Sequence, residues 1–155
     1  VIYGIPKTYF LVSGCSEGYT RLNAFDGALL NAGVGNTNLV RVSSIVPPHS
    51  KEIQPIELPQ GALVPTAYAY ISSDIPGEVI SAAVAIALPT EEEQPGLIME
   101  YSARGHREEI ELIAENMARE GMSMREQKPR EIKSISAEYK VKKIGAAFAA
   151  VILWQ

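Results

Sequence analysis

VISAAVAIAL, residues Val79–Leu88, carries no charge, and its Ala, Val and Ile side chains suit a strand buried on both faces. Working outward, the turn SDIPGE (73–78) precedes it, and VPTAYAYIS (Val64–Ser72) before that turn reads as another strand. On the other side, Glu91–Glu93 place three adjacent carboxylates in a solvated loop, and GLIMEY (Gly96–Tyr101) reads as the next strand. HREEIELIAENMAREG (106–121) predicts a helix with Ile110, Ile113, Ala114, Met117 and Ala118 on one stripe and Gly121 at its C-terminal cap. Ile135, Ala137, Tyr139 and Val141 then alternate with polar residues as a half-exposed strand, and Ile144–Trp154 suits a last, buried one.

Toward the N-terminus, TYFLVS (Thr8–Ser13) predicts a first strand closed by Gly14. A helix is expected from about Asn23, its N-cap, with Phe25, Ala28, Leu29 and Ala32 on one face and Gly33 and Gly35 as its stop. Asn38–Ile45 reads as one strand, and the proline-rich residues 46–61 as a loop. The order β-α-β-β-β-β-α-β-β suggests an α+β fold, with helices packed on largely antiparallel sheets. At 155 residues, 46% hydrophobic and 21% charged, the chain is expected to form one soluble domain.

The net charge of −4 argues against a nucleic-acid partner. No apolar run reaches membrane-spanning length and no signal-peptide pattern opens the chain, so the cytoplasm is the expected location. Cys15 is the single cysteine, which excludes an internal disulfide, and His49 and His106 have no second histidine at ligand spacing, so no metal site is expected. GVGN (33–36) follows a helix instead of leading from a strand into one, unlike a dinucleotide fingerprint. Met117, Met122 and Met124 read as packing residues, and Trp154 as core or interface.

Two carboxylates invite chemistry. Glu100 interrupts the apolar strand LIMEY: it faces either solvent or a cleft, where burial would keep it protonated near neutrality. Asp26, on the first helix, is either surface charge or a partner for a guanidinium. A third feature is VRVSSIVPP (40–48), which sets Ser43 and Ser44 between an apolar strand pattern and a rigid Pro47-Pro48 turn. The pair either supplies local turn hydrogen bonds or takes part in cleavage of its own peptide bond.

LNAFDGALLNAGVGN (22–36), NLVRVSSIVPP (38–48), GALVPTAYAYISSDIPGE (61–78), GLIMEY (96–101) and GAAFAAVILW (145–154) together resemble the pyruvoyl-dependent arginine decarboxylases. They occur in that family's order and cover most of the chain from Leu22 onward. The resemblance implies a layered αββα sandwich and self-cleavage into residues 1–43 (β chain) and 44–155 (α chain). The Ser44 hydroxyl would attack the Ser43 carbonyl to give an ester. Elimination across Cα–Cβ of Ser44 would then release the Ser43 carboxylate and leave dehydroalanine, which becomes a pyruvoyl group by hydration and loss of ammonia.

That covalent pyruvoyl group is the only cofactor implied, without pyridoxal phosphate or metal. By the same resemblance Glu100 is the proton donor, Asn38 assists processing or orients the pyruvoyl group, and Asp26 binds the substrate guanidinium with Leu29 lining the pocket. The implied reaction turns L-arginine into agmatine and CO2 in a homotrimer with sites between subunits. A straight strand would hold Asn38 about 20 Å from Ser44, so a bend or a second subunit is needed to bring them together. The alternatives are a related pyruvoyl decarboxylase acting on another basic amino acid, or an uncleaved binding or assembly homologue.

Overall fold

The computed structural model describes residues 4–155. Its elements run β1 (Thr8–Glu17), α1 (Arg21–Asn31), β2 (Asn38–Arg41), β3 (Ile45–Val46), β4 (Lys51–Glu52), β5 (Leu63–Ser73), β6 (Val79–Pro89), β7 (Gly96–Arg104), α2 (Arg107–Met124), β8 (Pro129–Lys140) and β9 (Gly145–Trp154). They build two sheets, in the orders β2-β5-β9-β1-β4 and β3-β7-β6-β8. Both are antiparallel except where β2 joins β5 and β4 joins β1. Among the described residues no helix is long and apolar enough to cross a membrane.

Strand alternation sorts the apolar residues into three cores. Ala67, Ala69, Ala149 and Val151 of the first sheet meet Ile80, Val84, Ile86 and Ile98 of the second. The opposite face of the first sheet, with Phe10, Val12, Phe148 and Ile152, is covered by Ala24, Ala28 and Leu29 of α1. The opposite face of the second, with Ala83, Ala85 and Leu97, is covered by Ile110, Ala114 and Ala118 of α2. The layers are therefore α1, sheet, sheet, α2: the α+β arrangement expected from the element order, and the αββα sandwich implied by the resemblance. The doubly buried strands are β6, where Ile80 through Leu88 are all buried, and β9, where burial runs from Gly145 to Leu153.

Four local expectations are corrected. β1 does not stop at Gly14 but continues to Glu17. Gly14 faces α1, where a Cβ would run into the Ala28 carbonyl and the Ala32 amide, so this glycine permits close helix packing instead of ending the strand. The N-cap of α1 is Thr20, whose hydroxyl accepts from the Asn23 amide at 3.2 Å. Gly121 lies inside α2, against the side chain of Leu97, and the helix runs on to Met124. Finally, Asn38–Ile45 is not one strand: β2 ends at Arg41, and β3 begins at Ile45 in the other sheet.

Candidate active site

The break between β2 and β3 creates the site. β2 runs parallel to β5 at the edge of the first sheet, with Arg41 opposite Thr66, and the Val42 amide adds one more bond to the Thr66 carbonyl at 3.1 Å. β3 lies at the edge of the second sheet, with Ile45 opposite Leu97, and the Ile98 amide donates to the Ser44 carbonyl at 2.7 Å. Ser43 is thus the single residue between an attachment to one sheet and an attachment to the other. Its peptide bond to Ser44 belongs to neither strand, with Ser43 exposed and Ser44 half-buried. After Ser44, the buried Val46 anchors the chain in the core between the sheets.

The antiparallel register sets Ser44 across from Ile98, and Glu100 follows two residues along β7 on the same face. That face points into the space between the sheets, because Ile98 and Val84, the β6 residue opposite Glu100, both belong to the inter-sheet core. Glu100 is therefore a carboxylate on an apolar inner face at the open edge of the sandwich, its side chain 24% exposed. Burial pushes its pKa above the ordinary glutamate value, and the nearby Arg41 guanidinium pulls it partly back. A carboxyl whose pKa is raised on this face near Ser44 is better suited to giving up a proton there than an ordinary glutamate.

The edge around Glu100 is tied together by side chains. Beyond Thr66, β5 has no neighbour on its β2 side, so its outward carbonyls need other donors. Arg41 Nη2 donates to the Tyr68 carbonyl at 2.7 Å, and Ser102 Oγ, reaching across from β7, donates to the Tyr70 carbonyl at 3.0 Å. Neither Arg41 nor Ser102 stands out in the sequence, although Arg41 lies within the NLVRVSSIVPP segment. The available signal was its position three residues before Ser44.

The remaining candidates lie apart from this edge within one chain. Asp26 is exposed on α1, on the far side of the first sheet from the inter-sheet face that carries Glu100. Leu29 is buried between α1 and that sheet, whereas Leu22 and Leu30, one turn to either side of Asp26, are exposed. Asn38 stands at the opposite end of β2 from the crossing, and its Nδ2 donates to the Gly61 carbonyl at 3.1 Å. The chain does bend before Ser44, but in one copy Asn38 remains engaged with the 61–62 turn.

A separate cleft of about 380 Å³ includes Tyr9, Val46, His49, Glu52 and Lys133 in its walls, and neither Ser44 nor Glu100 lines it. Its Lys133 is bonded to Glu52 at 3.1 Å. This is a mixed-charge surface away from the serine pair. Among the described residues no group of three or more His, Cys, Asp or Glu side chains could hold a metal ion.

A sandwich whose chain passes between its sheets at a serine pair, near a half-buried carboxyl, has a match among known families. The family model described as pyruvoyl-dependent arginine decarboxylase matches residues 8–155, and the chain belongs to that family. It is 53% identical over 152 residues to the protein of that name from Methanocaldococcus jannaschii, covering 98% of this chain and 92% of the relative. Likeness to the protein of the same name from Methanococcus maripaludis is 48% over 149 residues, covering 96% and 91%. For the Pyrococcus abyssi protein, also of that name, it is 46% over 152 residues, covering 96% of each chain.

Proposed function

We propose that this protein removes the carboxyl group of L-arginine, giving agmatine and CO2, with a pyruvoyl group that it makes from Ser44. The observation that carries this reading is the crossing itself. The Ser43-Ser44 peptide bond lies outside both ladders while its two flanks are fixed to different sheets, with the half-buried Glu100 on the same inner face. The residues present fit the group, because the peptide bond on the N-terminal side of the half-buried Ser44 belongs to neither strand and can change, while the Ser44 carbonyl bond to Ile98 and the buried Val46 hold the new end in place. When formed, the group supplies an electron-accepting carbonyl for decarboxylation. Cleavage there leaves residues 1–43 and 44–155 as two chains of one domain.

The chain's own residues have separate tasks in this reading. Glu100 holds the proton that goes to the substrate α-carbon once CO2 has left. Asp26 accepts the guanidinium, with Leu29 backing that surface from beneath. Asp26 and Glu100 lie on opposite sides of the first sheet, so Asp26 serves the Ser44 site of a neighbouring copy in a homotrimer. Asn38 acts in processing or orientation from the same intersubunit surface. No pyridoxal phosphate, metal, nucleic acid or membrane takes part, and the reaction runs in the cytoplasm.

The test is an intact-mass spectrum together with CO2 release from arginine, lysine and histidine. The wild type should give two chains divided between Ser43 and Ser44, and it should prefer arginine. Ser44→Ala should give one chain and release no CO2. A Ser44→Ala protein that still divides there would remove the self-cleavage mechanism, and equal turnover of lysine would remove arginine as the preferred substrate.

A further inference from the structure

Arg41 makes three contacts of different kinds at the open edge of the sandwich. Its Nη2 donates to the Tyr68 carbonyl at 2.7 Å, its guanidinium carbon lies 4.3 Å from the centroid of the Tyr68 ring, and Nη2 stands 4.0 Å from Glu100 Oε1. The first two contacts belong to the first sheet and the third to the second sheet. We propose that Arg41 is a positioning residue for Glu100: it bridges the two sheets at their open edge and fixes the carboxyl beside Ser44. This rests on the assignment of Glu100 as proton donor.

The reasons are geometric. β2 ends at Arg41, so the β5 edge beyond it presents the Tyr68 carbonyl with no strand to satisfy it. A planar guanidinium can donate to that carbonyl from Nη2 while its face rests on the Tyr68 ring, which holds the same nitrogen 4.0 Å from Glu100 Oε1. A lysine keeps the charge but lacks the planar face that rests on the Tyr68 ring. Among the described residues, the surroundings of Glu100 offer no competing charge at this distance. Val84 stands opposite on β6, the inner face of β5 presents Ala67, Ala69 and Ile71, and Ser102 is bonded to the Tyr70 carbonyl. Farther along β7, Arg104 is paired with Glu78 at 3.2 Å.

Burial holds the Glu100 carboxyl above its ordinary range and Arg41 draws it back, so the two groups together set the pH at which the proton donor is lost. The sign follows directly. Glu100 works in its protonated form, and activity falls as pH rises through its pKa. Removing the Arg41 charge lets burial act unopposed, so this falling limb moves to higher pH.

The experiment measures kcat and KM against pH over a range of arginine concentrations up to saturation, in processed wild type, Arg41→Gln, Arg41→Lys and Glu100→Gln. Arg41→Gln should lower kcat roughly tenfold to a hundredfold, the scale of an ångström of misplacement at a reacting group, with KM little changed. Its falling limb should move up in pH, whereas Arg41→Lys, which keeps the charge, should hold the limb near its wild-type position and still lose kcat. If the limb is present in wild type and lost in Glu100→Gln but unmoved in Arg41→Gln, the Arg41 role is overturned while the donor assignment stands. A Glu100→Gln enzyme with the wild-type rate and limb overturns both.

Should Arg41→Gln fail to process, the Glu100 carboxyl is titrated by carbon NMR in Ser44→Ala with and without Arg41→Gln. An upward move of its midpoint supports the role, and coincident titrations overturn it.

Discussion

In the proposed reaction Glu100 carries the chemistry most directly, and its substitution separates catalysis from processing. Glu100→Gln keeps the shape of the side chain, but the amide cannot deliver a proton as a carboxylic acid does. The variant should still divide at Ser43-Ser44, and arginine should still be captured on the large chain by borohydride. Its kcat should fall by roughly 10²–10⁴. Near-normal turnover in fully processed Glu100→Gln protein would rule it out as the donor. This residue was legible in the sequence because one charge in LIMEY is anomalous, and burial explains the anomaly. Arg41 was not legible, because an arginine at a strand end is ordinary until the partners of its guanidinium are known. Asp26 could be read as a candidate from its charge, but which side of the sheet it occupies depends on how α1 packs.

Among elements, the doubly buried strands β6 and β9 could be read from composition, since a strand with apolar residues at successive positions has no solvent face to satisfy. The split of residues 38–46 into β2 and β3 could not. VRVSSIV has a continuous strand pattern, and only non-local pairing, to β5 on one side and β7 on the other, decides where it breaks. The glycines misled for a related reason. Gly14 and Gly121 resemble stops, yet each lies within its element where a neighbouring element comes too close for a Cβ. Gly14→Ala should therefore push α1 away from β1 and destabilise the fold by about 1–3 kcal/mol, as overpacking does elsewhere. Urea unfolding in a Ser44→Ala background, where a single chain unfolds, measures this. An unchanged midpoint would mean that α1 yields without strain.

For the whole molecule, the arrangement of Asp26 and Glu100 makes a prediction about assembly. Leu22 and Leu30 are exposed on either side of Asp26, and Tyr70 of β5 is exposed next to Phe25 of α1, leaving this side of one copy partly apolar. If Asp26 serves a neighbour's site, two defective chains can rescue each other. Asp26→Asn has Ser44 but lacks the guanidinium partner, and should bind arginine roughly tenfold to a hundredfold more weakly, the loss of one charged hydrogen-bond partner. Ser44→Ala has Asp26 but cannot form the pyruvoyl group. Co-expressed, the two should give mixed assemblies whose activity at low arginine exceeds that of either variant alone. Activity no greater than that of Asp26→Asn would place both groups in one copy's site.

The ladder between β1 and β9 has a consequence for what division after Ser43 does to the molecule. All ten residues of β1, from Thr8 to Glu17, pair with β9, and α1 closes over that same sheet. A cut after Ser43, as proposed, would sever the backbone without freeing the small fragment, which would stay as an inner strand and an outer layer of its partner. Each protomer would then be a pair of chains that began as one. Its assembly would be intramolecular once, and after unfolding it would become a meeting of two solutes whose success depends on their concentration. Such a protein would fold first, divide second, and from then on persist by not unfolding.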